Sequence, residues 1–370
     1  MKFVELNLSG KSLRSIKNYG YEEATEVQER TIPKIMEGKD LIVRSQTGTG
    51  KTAAFAIGLM ERMAAGRIRK ALVLVPTREL AVQVSKEMNG LSQVHQLRVY
   101  AVYGGTSIST QMKELKKHHD VIVATPGRLL DVIQRRRTDL SQFNAVVLDE
   151  ADRMLDMGFQ RDVLAILDQM PSGRQSLLFS ATVDAGIKKI SSRYIPDAEL
   201  ITIGEMVRVS TVKEDAIEVR YKDRFSKLKE LLGSHKKMKI LVFARTKRGV
   251  MGLKKRLEKE GFCGIGMLQG NMPQTRRLKV LKSFQQNELT ILIATNVASR
   301  GLHIEDVGLI INYDEAEDKE THLHRIGRTG RMGREGKVIN LISKDKPLQT
   351  GPSRKNFRMR QGFRRRRPRK

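Results

Sequence analysis

Short apolar, β-branched runs separated by longer amphipathic stretches constrain this chain more than any other feature. The first series comprises Leu41-Ile42-Val43, Ala71-Leu72-Val73-Leu74-Val75, Val121-Ile122-Val123-Ala124, Ala145-Val146-Val147-Leu148 and Ser176-Leu177-Leu178-Phe179. Runs this short with no polar face suit strands buried on both sides, and their alternation with helical stretches predicts a parallel α/β sheet. The rhythm then repeats in Ile240-Leu241-Val242-Phe243, Thr290-Ile291-Leu292-Ile293-Ala294 and Gly308-Leu309-Ile310-Ile311, with helical stretches such as Gly249 to Lys259 between them. At 370 residues the chain exceeds the size at which one core keeps growing, so a second α/β domain is expected. The rhythm breaks between Ile203 and Lys213, which sets the domains at residues 1–205 and 206–346.

The formal charge is +28, from 69 Lys and Arg against 41 Asp and Glu. Such an excess points to a polyanionic partner, nucleic acid ahead of an anionic membrane surface. Residues 347–370 concentrate it: Gly351 to Lys370 holds ten Lys or Arg, no acid, and only Phe357, Met359 and Phe363 as large apolar groups. That composition predicts a disordered basic tail making sequence-tolerant contacts with phosphates and bases. The single cysteine, Cys263, excludes an intramolecular disulfide and a cysteine-held zinc site. No run approaches the roughly 20 apolar residues of a spanning helix, and the start, Met1 to Asn7, lacks the apolar core of a signal peptide. A soluble cytoplasmic protein is the expectation.

Two motifs point to chemistry. Ser45-Gln46-Thr47-Gly48-Thr49-Gly50-Lys51-Thr52 lies between a strand and a helix-like stretch, the context in which a glycine-rich loop cradles phosphates. Its backbone N–H groups and the following helix start would meet phosphate oxygens, Lys51 would supply a point charge, and Thr52 would hold magnesium. Asp149-Glu150-Ala151-Asp152 caps the strand Ala145 to Leu148, so carboxylates emerge at the carboxyl end of a buried strand. Asp149 is placed to anchor the magnesium, partly through water, and Glu150 to orient or deprotonate the attacking water.

These motifs, with Ser180-Ala181-Thr182 and His324-Arg325-Ile326-Gly327-Arg328-Thr329-Gly330-Arg331 after them, resemble the DEAD-box RNA helicase family across residues 3 to 345. Further pieces of the resemblance are Pro76 to Leu80, Gly104-Gly105, Thr125 to Arg128, Gln274 with Arg277, and Ala294-Thr295 through Arg300-Gly301. The resemblance implies two tandem RecA-like domains, ATP and Mg²⁺ as ligands, and RNA-stimulated ATP hydrolysis. Gly20 to Gln28 resembles the adenine-recognition motif, spanning 3–28 if Phe3 is its upstream aromatic, with Tyr21 the stacking ring, Gln28 the adenine reader and Thr25 a supporting group. Arg328 and Arg331 match arginines that reach the γ-phosphate from the second domain, and His324 links them to the acidic tetrad. Ser180 and Thr182 match residues coupling the nucleotide site to RNA. Thr77, Arg78, Gly105, Thr125 and Arg128 match RNA-backbone contacts of the first domain, and Gln274, Arg277, Thr295 and Gly301 those of the second.

The match departs in places. Ala24 stands where the family has proline, which should loosen the turn. His303 stands where an aspartate contacts the ribose, so ATP-driven closure should be weaker than in a relative carrying aspartate. Asn296 also replaces a common aspartate, at a position expected to tolerate it. The implied mechanism is local: ATP and RNA close the domains, one strand is bent out of a short duplex, and hydrolysis resets the cycle. The alternatives are an ATP-gated RNA clamp or annealing chaperone driven by the tail, and a DNA helicase of a related branch.

Overall fold

In a computed structural model, residues 1–345 are described except 47, 136–137, 204–211, 237, 271, 297–306, 317 and 330–335. The basic tail therefore lies outside the described residues, as does the segment in which the domain boundary is expected. The eight apolar runs all become strands. In the first domain these are β1 (Leu41–Arg44), β2 (Ala71–Leu74), β4 (Val121–Ala124), β5 (Ala145–Leu148) and β6 (Gln175–Ser180), joined by β3 (Val99–Val102) and β7 (Glu199–Thr202). The second domain holds β8 (Val212–Val219), β9 (Ile240–Phe243), β10 (Ile265–Leu268), β11 (Ile291–Ala294), β12 (Leu309–Asn312) and β13 (Gly336–Ser343).

All described pairings between these strands are parallel, in the orders β3-β4-β2-β5-β6-β1-β7 and β10-β11-β9-β12-β13-β8. Parallel strands need crossovers, and helices supply them on both faces, so each sheet is covered twice. The first sheet separates a cluster containing Val27, Phe55 and Phe179 from one containing Leu129, Met154 and Ile166. In the second, Leu228, Val250 and Leu257 cover one face, and Phe284, Val307 and Ile326 the other. Among the described residues no helix is long and apolar enough to cross a membrane.

The strand order reverses direction around β1, and the phosphate loop leaves β1 at that switch. Apart from the Gly20–Gln28 segment, which precedes β1, the motifs of the first domain lie at strand carboxyl ends: Ser45 after β1, Thr77 after β2, Gly104 after β3, Thr125 after β4, Asp149 after β5, and Ser180-Ala181-Thr182 where β6 ends. Parallel sheets open their ligand crevices there. Side-chain caps start several of these helices; Thr77 Oγ1 accepts from Leu80 N at 3.3 Å, and Thr246 Oγ1 from Gly249 N at 3.0 Å. At Ala24, where the family has proline, the free N–H donates to Met1 O at 2.9 Å, a tie that proline could not make, and the side chain is buried.

Candidate active site

The phosphate loop is tied to its surroundings on both sides. Ser45 N donates to Ser180 O at 2.9 Å, which joins the loop's start to β6. Thr25 Oγ1 donates to Thr49 O at 2.8 Å and Gln28 Nε2 to Gly50 O at 3.2 Å, while Gln28 Oε1 accepts from Thr25 N at 2.9 Å. Gly50 has φ +91, which favours glycine, and a Cβ there would meet Gln28 Nε2 at 2.5 Å and displace the brace that Gln28 makes to the loop. Gln28 is thus a brace between the adenine-motif residues and the loop. Tyr21 lies beside them, its ring 6.4 Å from the buried Phe3 and its hydroxyl donating to Glu87 at 3.0 Å. Burial and the Glu87 carboxylate raise the Tyr21 pKa and keep the phenol a neutral donor.

Lys51 is buried at the start of the helix Lys51–Ala64, with Nζ donating to Ser45 O at 3.0 Å. Thr52 follows it on the first turn, and Gln46 and Gly48 are exposed at the loop's rim. Across the crevice Asp149 is only 3% exposed, and its Oδ1 accepts from Glu150 N at 2.9 Å. Burial pushes the Asp149 carboxyl up to about 6, and Glu150 adds to the rise while Lys51 opposes it. Glu150 behaves oppositely. Burial acts to raise it, but the charges of Arg153, Lys51 and Arg328 together hold it below the ordinary range. Two adjacent carboxylates are thereby set apart, one costly to ionise and one held ionised.

Among the described residues no cluster of three or more His, Cys, Asp or Glu side chains is placed to hold a metal ion by itself. A buried carboxylate within reach of the Lys51 charge at the loop instead suits Mg²⁺, which takes few protein ligands and completes its shell with phosphates and water. A buried carboxylate that is costly to ionise has a stability consequence. Asp149→Asn is expected to stabilise the nucleotide-free protein at neutral pH by on the order of 2–3 kcal/mol, raising the melting temperature by about 5–10 °C. The sign follows from linkage: the folded-state pKa of about 6 exceeds the ordinary 3.8, so the folded state binds the extra proton between these values. The advantage of asparagine is therefore full above pH 6 and shrinks as pH falls toward 4. Melting curves of both proteins at pH 7.5 and 4.5 check this, and equal values at pH 7.5 would refute it.

Asp152 joins the tetrad to the next motif. Its Oδ2 accepts from Ala181 N at 3.0 Å, Thr182 N at 3.1 Å and Thr182 Oγ1 at 3.4 Å, while its own N–H donates to Ser180 Oγ at 3.3 Å. Ser180 and Thr182 are thus held against the tetrad by Asp152, an acid to which the sequence reading gave no role.

The nucleic-acid contacts predicted in the first domain form one group. Arg78 lies over Gly104 and Gly105; a Cβ on Gly105, whose φ is +81, would meet Arg78 Nη1 at 2.0 Å. Arg128 donates through Nη1 to Gln111 Oε1 at 2.9 Å and to Thr106 O at 3.2 Å. Thr77 and Thr125 are buried at the adjoining helix starts. The second domain meets this group through Arg277, whose Nε lies 2.9 Å from Glu79 Oε1 with both side chains nearly buried. Buried Thr295 directly follows β11 in the second domain. Thr47, Gly301, His303 and Arg331 lie outside the described residues, as do the side chains of Gln274 and His324.

Arg328 is buried, and its charge reaches Glu150 across the domains. It follows the helix Lys319–Ile326, which buried Arg325 anchors: Nε donates to Asn296 Oδ1 at 2.8 Å, and Nη1 to Asn312 Oδ1 at 2.8 Å and Asp314 O at 2.7 Å. The residue at 296 therefore needs an acceptor oxygen, which an amide supplies as an aspartate would. Thr329 Oγ1 fastens the far end to Val307 O.

Residues 25–190 match the DEAD/DEAH box helicase family, and residues 223–333 match the helicase conserved C-terminal domain. The chain is similar to the ATP-dependent RNA helicase CshA of Listeria monocytogenes, 44% identical over 343 residues that cover 92% of this chain and 66% of that protein. It is 41% identical to the DEAD-box ATP-dependent RNA helicase CshA of Bacillus subtilis, over 92% of this chain and 69% of the relative. The chain thus spans about two thirds of the length of these relatives. S. cerevisiae Dbp5 bound to RNA and ADP BeF3 superposes with a TM-score of 0.82 at 30% identity, covering 93% of this chain and 90% of that one. A DEAD box protein from Methanococcus jannaschii, 39% identical over 93% of both chains, gives 0.54.

Proposed function

The chain belongs to the DEAD-box ATP-dependent RNA helicases, and from that membership we propose that it hydrolyses ATP in an RNA-stimulated cycle that locally separates short RNA duplexes. The observation that carries this reading is the approach of the two domains at two points, Arg328 toward Glu150 and Arg277 onto Glu79. The superposition agrees with it: the relative bound to RNA and ADP BeF3 fits better than a relative closer in sequence, the outcome expected if the domains here stand as in the ligand-bound form.

In this cycle Tyr21 and Gln28 receive the adenine, and the loop N–H groups with Lys51 receive the phosphates. For the adenine, Gln28 has one N–H beyond that given to Gly50 O and one oxygen lone pair beyond that taken by Thr25 N. Thr52 and Asp149 would hold Mg²⁺, whose charge would offset that of the phosphate oxygens and of the buried Asp149 carboxylate. Glu150 orients the attacking water, and Arg328 with Arg331 stabilises charge developing on the transferred phosphoryl group. Because the arginines and the carboxylates sit on different domains, hydrolysis requires the closed arrangement. RNA held on the Arg78, Gly105 and Arg128 group and on the Arg277 side favours the same arrangement, so ATP and RNA tighten each other's binding by one factor. The basic tail adds sequence-independent affinity, in keeping with a cytoplasmic RNA substrate.

Steady-state ATP hydrolysis with RNA, with matched DNA and with neither tests the proposal, alongside strand displacement by the intact chain and by Lys51→Ala. RNA-selective stimulation that Lys51→Ala abolishes, together with displacement, is the expected result. Full displacement by Lys51→Ala would favour the annealing chaperone instead, and equal stimulation by DNA the related helicase branch.

A further inference from the structure

We propose that Arg153 is a positioning residue for hydrolysis, holding the Glu150 carboxylate in the orientation from which its second oxygen meets the attacking water. The inference rests on the reading of Glu150 as the water-orienting group. Glu150 has φ 51, a backbone conformation uncommon for a residue with a side chain. Asp149 Oδ1 fixes that backbone by accepting the Glu150 N–H. The unusual turn starts the helix Ala151–Asp156 and brings Glu150 and Arg153, three residues apart, to one side. Arg153 Nη1 then donates to Glu150 Oε2 at 2.8 Å, with the two side chains 7% and 10% exposed.

The contact has a single point. Oε2 is taken, and among the described residues Oε1 accepts no hydrogen bond, which leaves one oxygen for a water. Lys51, whose charge also acts on Glu150, has its ammonium turned to Ser45 O. Arg153 is itself set by its own N–H, which donates to Asp152 Oδ1 at 3.0 Å. The acid that grips Ser180-Ala181-Thr182 therefore also sets the residue that grips Glu150, and a shift of the coupling motif would be felt at the water-orienting carboxylate. A stability role accounts poorly for the pair, since buried ion pairs are often no more stabilising than apolar residues of similar volume. Orientation accounts for it better, because misplacing a reacting group by about 1 Å can cost on the order of 100-fold in rate.

The test is a double-mutant cycle on the full chain at saturating RNA, with kcat and the ATP KM measured for Arg153→Met and Arg153→Lys in the wild-type and Glu150→Gln backgrounds. Arg153→Met is expected to lower kcat by about 10–100-fold while KM and RNA affinity stay within about threefold. Arg153→Lys should restore most of the rate, because a single-point contact needs one cationic donor and not a fork. In the Glu150→Gln background Arg153→Met should have no further effect, as for residues that act as a unit. Unchanged kcat in Arg153→Met, no rescue by lysine, or an equal loss in both backgrounds would each overturn the proposal. A wild-type kcat in Glu150→Gln alone would instead refute the reading of Glu150. If the methionine variant does not fold, Arg153→Gln takes its place in the cycle and the same outcomes decide.

Discussion

Arg328→Ala is expected to lower the RNA-stimulated kcat for ATP hydrolysis by about 10³-fold or more, the scale on which an arginine arriving at a transferring phosphoryl group acts, if Arg328 has the role proposed for it. The size of the effect follows from where the residue sits. Arg328 is 5% exposed, so its charge acts through a low-dielectric gap, and that charge already lowers the pKa of Glu150 in the other domain. Its placement is prepared in advance: Arg325 is locked to Asn296, Asn312 and Asp314 before it in sequence, and Thr329 to Val307 after it. A donor held this way has little reorganisation left when charge develops. The ATP KM should move much less, because the residues proposed to receive the adenine and most of the phosphates belong to the first domain. Arg328→Lys should recover only a small part of the rate, since an ammonium lacks the planar fork. Steady-state and single-turnover hydrolysis measure both variants, and a kcat within about threefold of wild type for alanine would refute the cross-domain assignment.

Asp152→Ala removes the acceptor of two backbone N–H groups, at Ala181 and Thr182, and of the Arg153 N–H. Each buried donor left without a partner costs about 1–3 kcal/mol, less where it relaxes toward water. A first-domain destabilisation of about 3 kcal/mol is expected, read as a fall of roughly 10 °C in melting temperature. The functional effect should be larger than the thermal one. With Ser180-Ala181-Thr182 no longer held against the tetrad, RNA stimulation should collapse toward the basal rate even at temperatures where the variant stays folded. Asp152→Asn keeps one acceptor oxygen and should lose less of both. Melting curves and the ratio of hydrolysis with and without RNA decide the matter; intact stimulation in the alanine variant would show that coupling runs elsewhere.

The legibility of the fold depended on burial. The eight strands read from apolar runs are interior to the two sheets, where both faces demand hydrophobic side chains. The strands that the sequence did not announce include all four edges, β3, β7, β8 and β10. An edge strand is partly solvated, and β8, Val212-Lys213-Glu214-Asp215-Ala216-Ile217-Glu218-Val219, is mostly exposed and reads as a charged loop. The fifth, β13, is interior, yet Lys337, Asn340 and Ser343 interrupt its apolar run. For the same reason the Ala24 N–H bond to Met1 escaped notice, since it depends on where the chain's first residues come to lie.

What the sequence by itself determined is the set of chemical parts: the phosphate loop, the acidic tetrad, the two α/β domains and the arginines near residue 328. Each is a contiguous pattern whose meaning is local, because backbone geometry and side-chain chemistry over a few residues dictate it. Only the tertiary structure decided how the parts act on one another. Asp152 with Thr182, Arg325 with Asn296, Glu79 with Arg277 and Arg328 with Glu150 are pairs far apart in the chain. Their energies come from desolvation and charge at distances of a few ångströms, which are set by how the sheets pack and how the domains meet. Two neighbouring carboxylates, indistinguishable as letters, thus become one that burial resists ionising and one that three cations hold ionised.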